Sequence, residues 1–267
     1  PMARLLGMKV VFTHHGPDYD RAKWGPVGRF VLRLGERLGT MCATEIIVIS
    51  DVIKNSLADK YNRTDSNLIF NGVNSPVFSE STNYIESLGL KSRKYVFTLG
   101  RFVEEKGFDL LIRAFNGLNQ KEYKLVIAGD ADHELTYSKQ LKKLASSNEV
   151  ILPGFVKGEA LNQLFSHARL FVLPSFHEGL PISLLEAMSY GLPVLVSDIP
   201  ANKQVSLPED RYFTTGDENS LKNCLKDNLK QNFKLVEYDM SMYDWDKIAL
   251  QTAVVYEKVK RGRKREK

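Results

Sequence analysis

Residues 169–191, RLFVLPSFHEGLPISLLEAMSYG, narrow what this chain can fold into more than any other stretch. Arg169–Pro174 is an apolar run of strand length, followed by a short polar turn and a helical pattern. Pro181 fits the first helical position, where its missing N–H costs nothing. The helix reads ISLLEAMSY and stops at Gly191, with Pro193 just beyond. Glu178 then lies in the loop ahead of the helix and Glu186 on its second turn. Gly179 lets the backbone approach a ligand closely, and the first backbone N–H groups of the helix point into the same space. Two carboxylates suit sugar hydroxyls, and the helix start suits a phosphate.

The same strand–helix alternation runs through the chain and predicts parallel sheets with helices on both faces. A first series has strands at Lys9–Thr13, Glu45–Ser50 and Asn67–Asn71, with helices at Pro26–Ala43 and Asp51–Tyr61. Residues 79–94 read as a linker with one short helix. A second series has strands at Tyr95–Gly100, Lys124–Gly129, Val150–Pro153, Arg169–Pro174 and Pro193–Ser197. The expected organisation is a partial N-terminal domain over 1–78, a linker over 79–94, and a complete doubly wound domain over 95–245. A final helix and basic tail occupy 246–267. The chain opens on Pro1, and MKVVFTHHG reads as a strand already inside a fold, so the expectation is a piece of a longer protein.

Hydrophobic content of 43% and charged content of 26% are those of an ordinary globular chain. Two cysteines, Cys42 and Cys224, cannot build a disulfide framework, which points to a reducing, cytoplasmic setting. No apolar run approaches membrane-spanning length. The net charge of +5 sits largely in the terminal KVKRGRKREK. No nucleic-acid fold motif or aromatic–basic platform accompanies it, so nucleic acid is not an expected partner.

In open parallel sheets, ligands bind beyond the carboxyl ends of the strands. Arg101 and Lys106 follow YVFTLG, which ends in Gly100; Asp130 follows LVIAG; Phe155 and Val156 follow VILPG; and Glu178 follows RLFVLP. Two cations and two carboxylates on one rim make a nucleotide pocket with charge for a diphosphate.

GR-x-x-x-EKG, NGV, GD, GFV and PSFHEGLPISLLEAMSYGLPVLVS, in that order, resemble the family-4 retaining glycosyltransferases of the GT-B fold, over most of residues 8–260. HHGPDYDRAKWG resembles a bacterial subgroup that includes rhamnosyltransferase-like enzymes of surface-polysaccharide synthesis. The resemblance implies two Rossmann-like domains, here with the N-terminal one incomplete, and metal-independent sugar transfer without a cofactor. It implies a nucleotide-sugar donor and a glycan or lipid-linked acceptor. It gives Arg101 and Lys106 to the diphosphate, Glu186 to the ribose, and Glu178, Gly179, Leu180 and Pro181 to sugar and phosphate. Gly100 lies beside them, the Phe155–Val156 backbone reads the base, and His15 contacts the transferred sugar. The alternative is a nucleotide-sugar-binding module that does not turn over.

Asp18-Tyr-Asp20 and Asp130-Ala-Asp132 have the D-x-D spacing of a Mg²⁺ or Mn²⁺ pair. No metal is expected, because Arg101, Lys106 and the helix start already bring positive charge. Arg29, Arg33 and Arg37 form one helical stripe. With the basic tail, it is read either as a solvated face or as a contact with a lipid-diphosphate acceptor or the inner face of an anionic membrane.

Overall fold

The computed structural model describes residues 1–17, 19, 24–131, 136–147 and 149–262. The chain divides into two compact units: Pro1–Gly72 together with the residues from Ser241 on, and Val73–Met240.

The first unit begins with helix α1 (Met2–Leu5), strand β1 (Val11–His14), helix α2 (Pro26–Cys42), strand β2 (Glu45–Val48), helix α3 (Asp51–Tyr61) and strand β3 (Asn67–Leu68). The strands form a parallel sheet in the order β1-β2-β3, with Val11 opposite Glu45 and Ile47 opposite Asn67. Ser50 caps α3 by accepting from the Ile53 N–H at 3.2 Å, and Asn62 ends it in the left-handed region. The strand expected over Asn67–Asn71 pairs only at Asn67 and Leu68.

The second unit opens with helix α4 (Asn83–Ser87), inside the segment read as a linker. The Tyr84 N–H donates to Gln163 Oε1 at 2.8 Å. Then come β4 (Tyr95–Leu99), α5 (Phe108–Asn116), β5 (Lys124–Ala128), α6 (Thr136–Leu144), β6 (Val150–Ile151), α7 (Glu159–His167) and β7 (Leu170–Leu173). They are followed by α8 (Ile182–Ser189), β8 (Val194–Ser197), α9 (Pro200–Lys203), β9 (Tyr212–Phe213) and α10 (Glu218–Lys230). All six strands are parallel, in the order β6-β5-β4-β7-β8-β9. Strand β7 is buried at every position, as a strand covered by helices on both faces must be. Leu221, Leu225 and Leu229 recur every four residues along α10 and enter the core with Phe108, Leu111 and Phe115 of α5. Strand β9 and helix α9 are too short for a periodicity to register in the sequence.

The final helix, α11 (Trp245–Gly262), packs in the first unit, where Ile248 and Val255 join Ile47 and Ile69. Among the described residues, no helix is long and apolar enough to cross a membrane.

Candidate functional site

In the second unit the chain winds outward from β4 to β6, then returns to lay β7 on the other side of β4. Connections leave the sheet in opposite directions at this junction, which opens a crevice at the carboxyl ends of β4 and β7. The two loops that enter it are the ones with unusual chemistry, Gly100–Gly107 after β4 and Pro174–Pro181 after β7.

These loops are fastened to one another. The Phe176 N–H donates to the Glu105 carbonyl at 2.8 Å. Lys106 closes a 3₁₀ turn, Glu104–Lys106, and its Nζ donates to Glu178 Oε1 at 2.6 Å. The buried Ser175 hydroxyl donates to the same carboxylate oxygen at 2.6 Å. Gly107 makes the approach feasible: its φ is +62°, and a β-carbon there would collide with the Pro174 carbonyl oxygen. Ser175 is held in turn by Ser197, whose hydroxyl donates to the Ser175 carbonyl, and Asn202 Nδ2 donates to the Ser197 carbonyl. Sequence reasoning missed Ser175; its position directly after the strand was the available signal.

Glu186 lies on the second turn of α8, as expected, and is half-buried. No other side chain among the described residues pairs with its carboxylate, and burial pushes its pKa up. Pro181 is the residue before the helix rather than its first turn, and no side chain caps the helix start there. Leu180 is buried and Gly179 half-buried. The far end of α8 is anchored by Tyr190, which stacks on Phe165 with ring centroids 4.9 Å apart and donates to Asn162 Oδ1 at 3.0 Å. A carboxylate kept half-buried without a partner on a firmly packed helix is poised to accept from a ligand.

The other strand ends complete the rim. The Gly100 N–H donates to the Ala128 carbonyl at 3.0 Å, and the Gly129 N–H to the Gly154 carbonyl at 2.7 Å. Arg101 is half-buried in the loop between β4 and the 3₁₀ turn. Phe155 is 79% exposed and Val156 half-buried on the turn after β6. Asp130 accepts from the Ala131 N–H and pairs with Lys142 at 3.1 Å, and these contacts hold its pKa low. Asp18, Asp20 and Asp132 lie outside the described residues, as do Arg263–Lys267 of the tail. Among the described residues, no cluster of three His, Cys, Asp or Glu could hold a metal ion.

His15 belongs to the first unit, exposed and one residue past β1. The neighbouring histidine has a different fate. The Gly16 N–H donates to His14 Nδ1 at 3.0 Å, so Nε2 carries the proton and donates to Glu36 Oε2 at 2.8 Å. Glu36 also accepts from Tyr61 at 2.8 Å and Tyr19 at 3.2 Å. Burial works against its charge, but the bonds from His14 and Tyr61 outweigh it and hold its pKa low. His14 is thus a buried anchor of this loop, whereas His15 is exposed. Glu36, the single acid of α2, was not singled out from the sequence.

A family model described as "Glycosyl transferases group 1" matches residues 80–238, more than half of the chain. The chain is 29% identical over 242 residues to the uncharacterized glycosyltransferase MJ1607 of Methanocaldococcus jannaschii, covering 83% of this chain and 62% of that protein. It is 26% identical over 206 residues to the O-antigen chain mannosyltransferase RfbU of Salmonella typhimurium, covering 76% and 54%. The chain therefore spans little more than half the length of these curated relatives. Among solved structures, HepE of Anabaena in complex with UDP-glucose superposes with a TM-score of 0.80 at 20% identity, covering 96% of this chain and 74% of that one. The fold is that of the GT-B enzymes.

Proposed function

The chain belongs to the group 1 glycosyl transferases, and on that premise we propose that it transfers a sugar from a nucleotide-sugar donor to a hydroxyl of a glycan or lipid-linked acceptor. The observation that carries this reading is the pairing of Lys106 with Glu178 at the switch point of the parallel sheet. One is a group for a diphosphate, the other for a sugar, and they sit within one hydrogen bond of each other.

In the proposed reaction Arg101, Lys106 and the start of α8 hold the diphosphate and stabilise it as leaving group. Glu186 accepts from the ribose hydroxyls. The Phe155–Val156 backbone meets the base. Glu178 and the Gly179 and Leu180 N–H groups orient the transferred sugar. The bond from the anomeric carbon to the departing phosphate oxygen breaks as the acceptor oxygen bonds to that carbon from the same face. The departing phosphate oxygen takes the acceptor's proton. This is transfer with retention, the chemistry of the family-4 enzymes that the glutamate motif resembles, and no metal is required. HHGPDYDRAKWG supports a rhamnosyltransferase-like role in surface-polysaccharide synthesis at the cytoplasmic face of the membrane.

A thermal-shift panel of UDP, GDP, dTDP and ADP tests the donor site: one of them raises the melting temperature. Product made from the matching nucleotide sugar then carries the donor's anomeric configuration. Stabilisation by none of the four would remove the donor-site reading, and an inverted product would remove retention alone.

A further inference from the structure

Glu178 is held twice, and on one atom. Lys106 Nζ and the Ser175 hydroxyl both donate to Oε1, each at 2.6 Å. Neither bond goes to Oε2. The two donors differ in how they are supported. Lys106 reaches in on a flexible stem from the 3₁₀ turn, its side chain 19% exposed. Ser175, Ser197 and Asn202 are all fully buried and run as a chain from Glu178 to α9. Asn202 Nδ2 donates to the Ser197 carbonyl at 2.9 Å and to its hydroxyl oxygen at 3.1 Å. The Ser197 hydroxyl, an acceptor there, has its own proton left for the Ser175 carbonyl. The direction of each bond in the chain is thereby fixed. Fixing it has a cost. The Asn202 amide cannot turn over, and its buried Oδ1 has no partner among the described residues.

We infer that Ser175 is a positioning residue of the donor site: it keeps the Glu178 carboxylate seated when Lys106 leaves it for a diphosphate. This deepens the donor-site reading above and rests on it. The Glu178 side chain is only 10% exposed, so water is poorly placed to replace a departing lysine. Without Ser175 the carboxylate would keep its charge and lose its last donor, and Lys106 would stay on it. With Ser175 in place the lysine moves and the carboxylate does not. Oε1 retains one charge-assisted bond, and Oε2 stays where a sugar hydroxyl can donate to it. Ser197 and Asn202 act through Ser175, by holding its backbone rather than its hydroxyl.

Two titrations test it, one of them without ligand. In urea unfolding of the ligand-free chain, Ser175→Ala and Lys106→Met each leave Glu178 one donor, and the double variant leaves none. The double variant is expected to lose more stability than the two single losses added together, and Glu178→Gln removes the excess. In isothermal titration with the nucleoside diphosphate that stabilises the parent, Ser175→Ala weakens binding about tenfold or more. The same substitution made in a Glu178→Gln chain leaves affinity unchanged. Ser197→Ala, which keeps the Ser175 hydroxyl, weakens binding by a smaller factor with the same dependence on Glu178, and it serves where Ser175→Ala folds poorly. A merely structural Ser175 would weaken binding equally in both backgrounds. That result overturns the inference, as do additive stability losses. A parent that binds no nucleoside diphosphate, yet shows the stability excess, would overturn the donor-site reading instead.

Discussion

Lys106 Nζ and Glu178 Oε1 are 2.6 Å apart, and their side chains are only 19% and 10% exposed. The rim is thus partly self-neutralised: the Lys106 cation is held by the carboxylate beside it. Ser175 shares the same oxygen, so Glu178 can release Lys106 and keep one hydrogen bond. On the proposed function, donor binding exchanges one charge-assisted contact for another.

Removing the Glu178 charge should therefore help the diphosphate while harming the chemistry. Glu178→Gln is expected to bind nucleoside diphosphate as tightly as the parent or more tightly, and to lose sugar transfer. Lys106→Ala leaves Glu178 uncompensated beside the ligand and should weaken the diphosphate about tenfold or more, in line with roughly 1.5–3 kcal/mol for a hydrogen bond to a charged group. Isothermal titration of both variants separates the cases. Equal weakening by the two would mean that the pair acts as a unit in binding, against this account.

Glu186, proposed to hold the ribose, also carries a stability cost, and pH separates the two. Burial raises its folded pKa, so the folded state keeps a proton that the unfolded chain has already released. Stability from this group consequently falls as pH rises from the ordinary glutamate value through the raised one. Glu186→Gln should melt higher than the parent at pH 7, with the difference shrinking at pH 4, while losing most nucleotide affinity. A variant that melts lower at pH 7 would show that the carboxylate is a structural partner.

Much of this was legible before the structure. The glutamate motif located its strand, loop and helix, because an apolar run, a proline and a terminal glycine each punctuate the backbone for a local reason. The helix expected over Pro26–Ala43 is observed over Pro26–Cys42. What escaped was pairing across the sheet. That Lys106 and Ser175 meet on one oxygen of Glu178 depends on β7 lying beside β4, a long-range fact that no spacing encodes. Likewise, nothing near Glu36 in the sequence says that it turns inward to His14. The packing of α11 in the first unit comes from contacts of Ile248 and Val255 with residues about two hundred positions earlier.

Gly107→Ala probes the geometry that joins the loops. The substitution places a β-carbon against the Pro174 carbonyl and an alanine at φ +62°, a conformation that costs on the order of 1–3 kcal/mol by itself. The expected outcome is a lower melting temperature together with loss of nucleotide binding. Gly158→Ala, also at positive φ but with open space around the new atom, should lower stability without loss of binding. Identical profiles for the two would indicate backbone strain alone.

Nucleotide binding should be unaffected by EDTA, since Arg101, Lys106 and the α8 start carry the diphosphate in this account. Titrations with and without EDTA check it. A strict need for Mg²⁺ or Mn²⁺ would return Asp18, Asp20, Asp130 and Asp132 to consideration as ligands.

Backbone amide chemical-shift mapping with the nucleoside diphosphate that stabilises the chain tests the central claim most directly. The perturbed amides should fall on Gly100–Gly107, Gly154–Val156 and Ser175–Glu186, the loops around the β4–β7 junction. Perturbations that leave these three segments still while moving another part of the chain would contradict the assignment of this rim as the donor site.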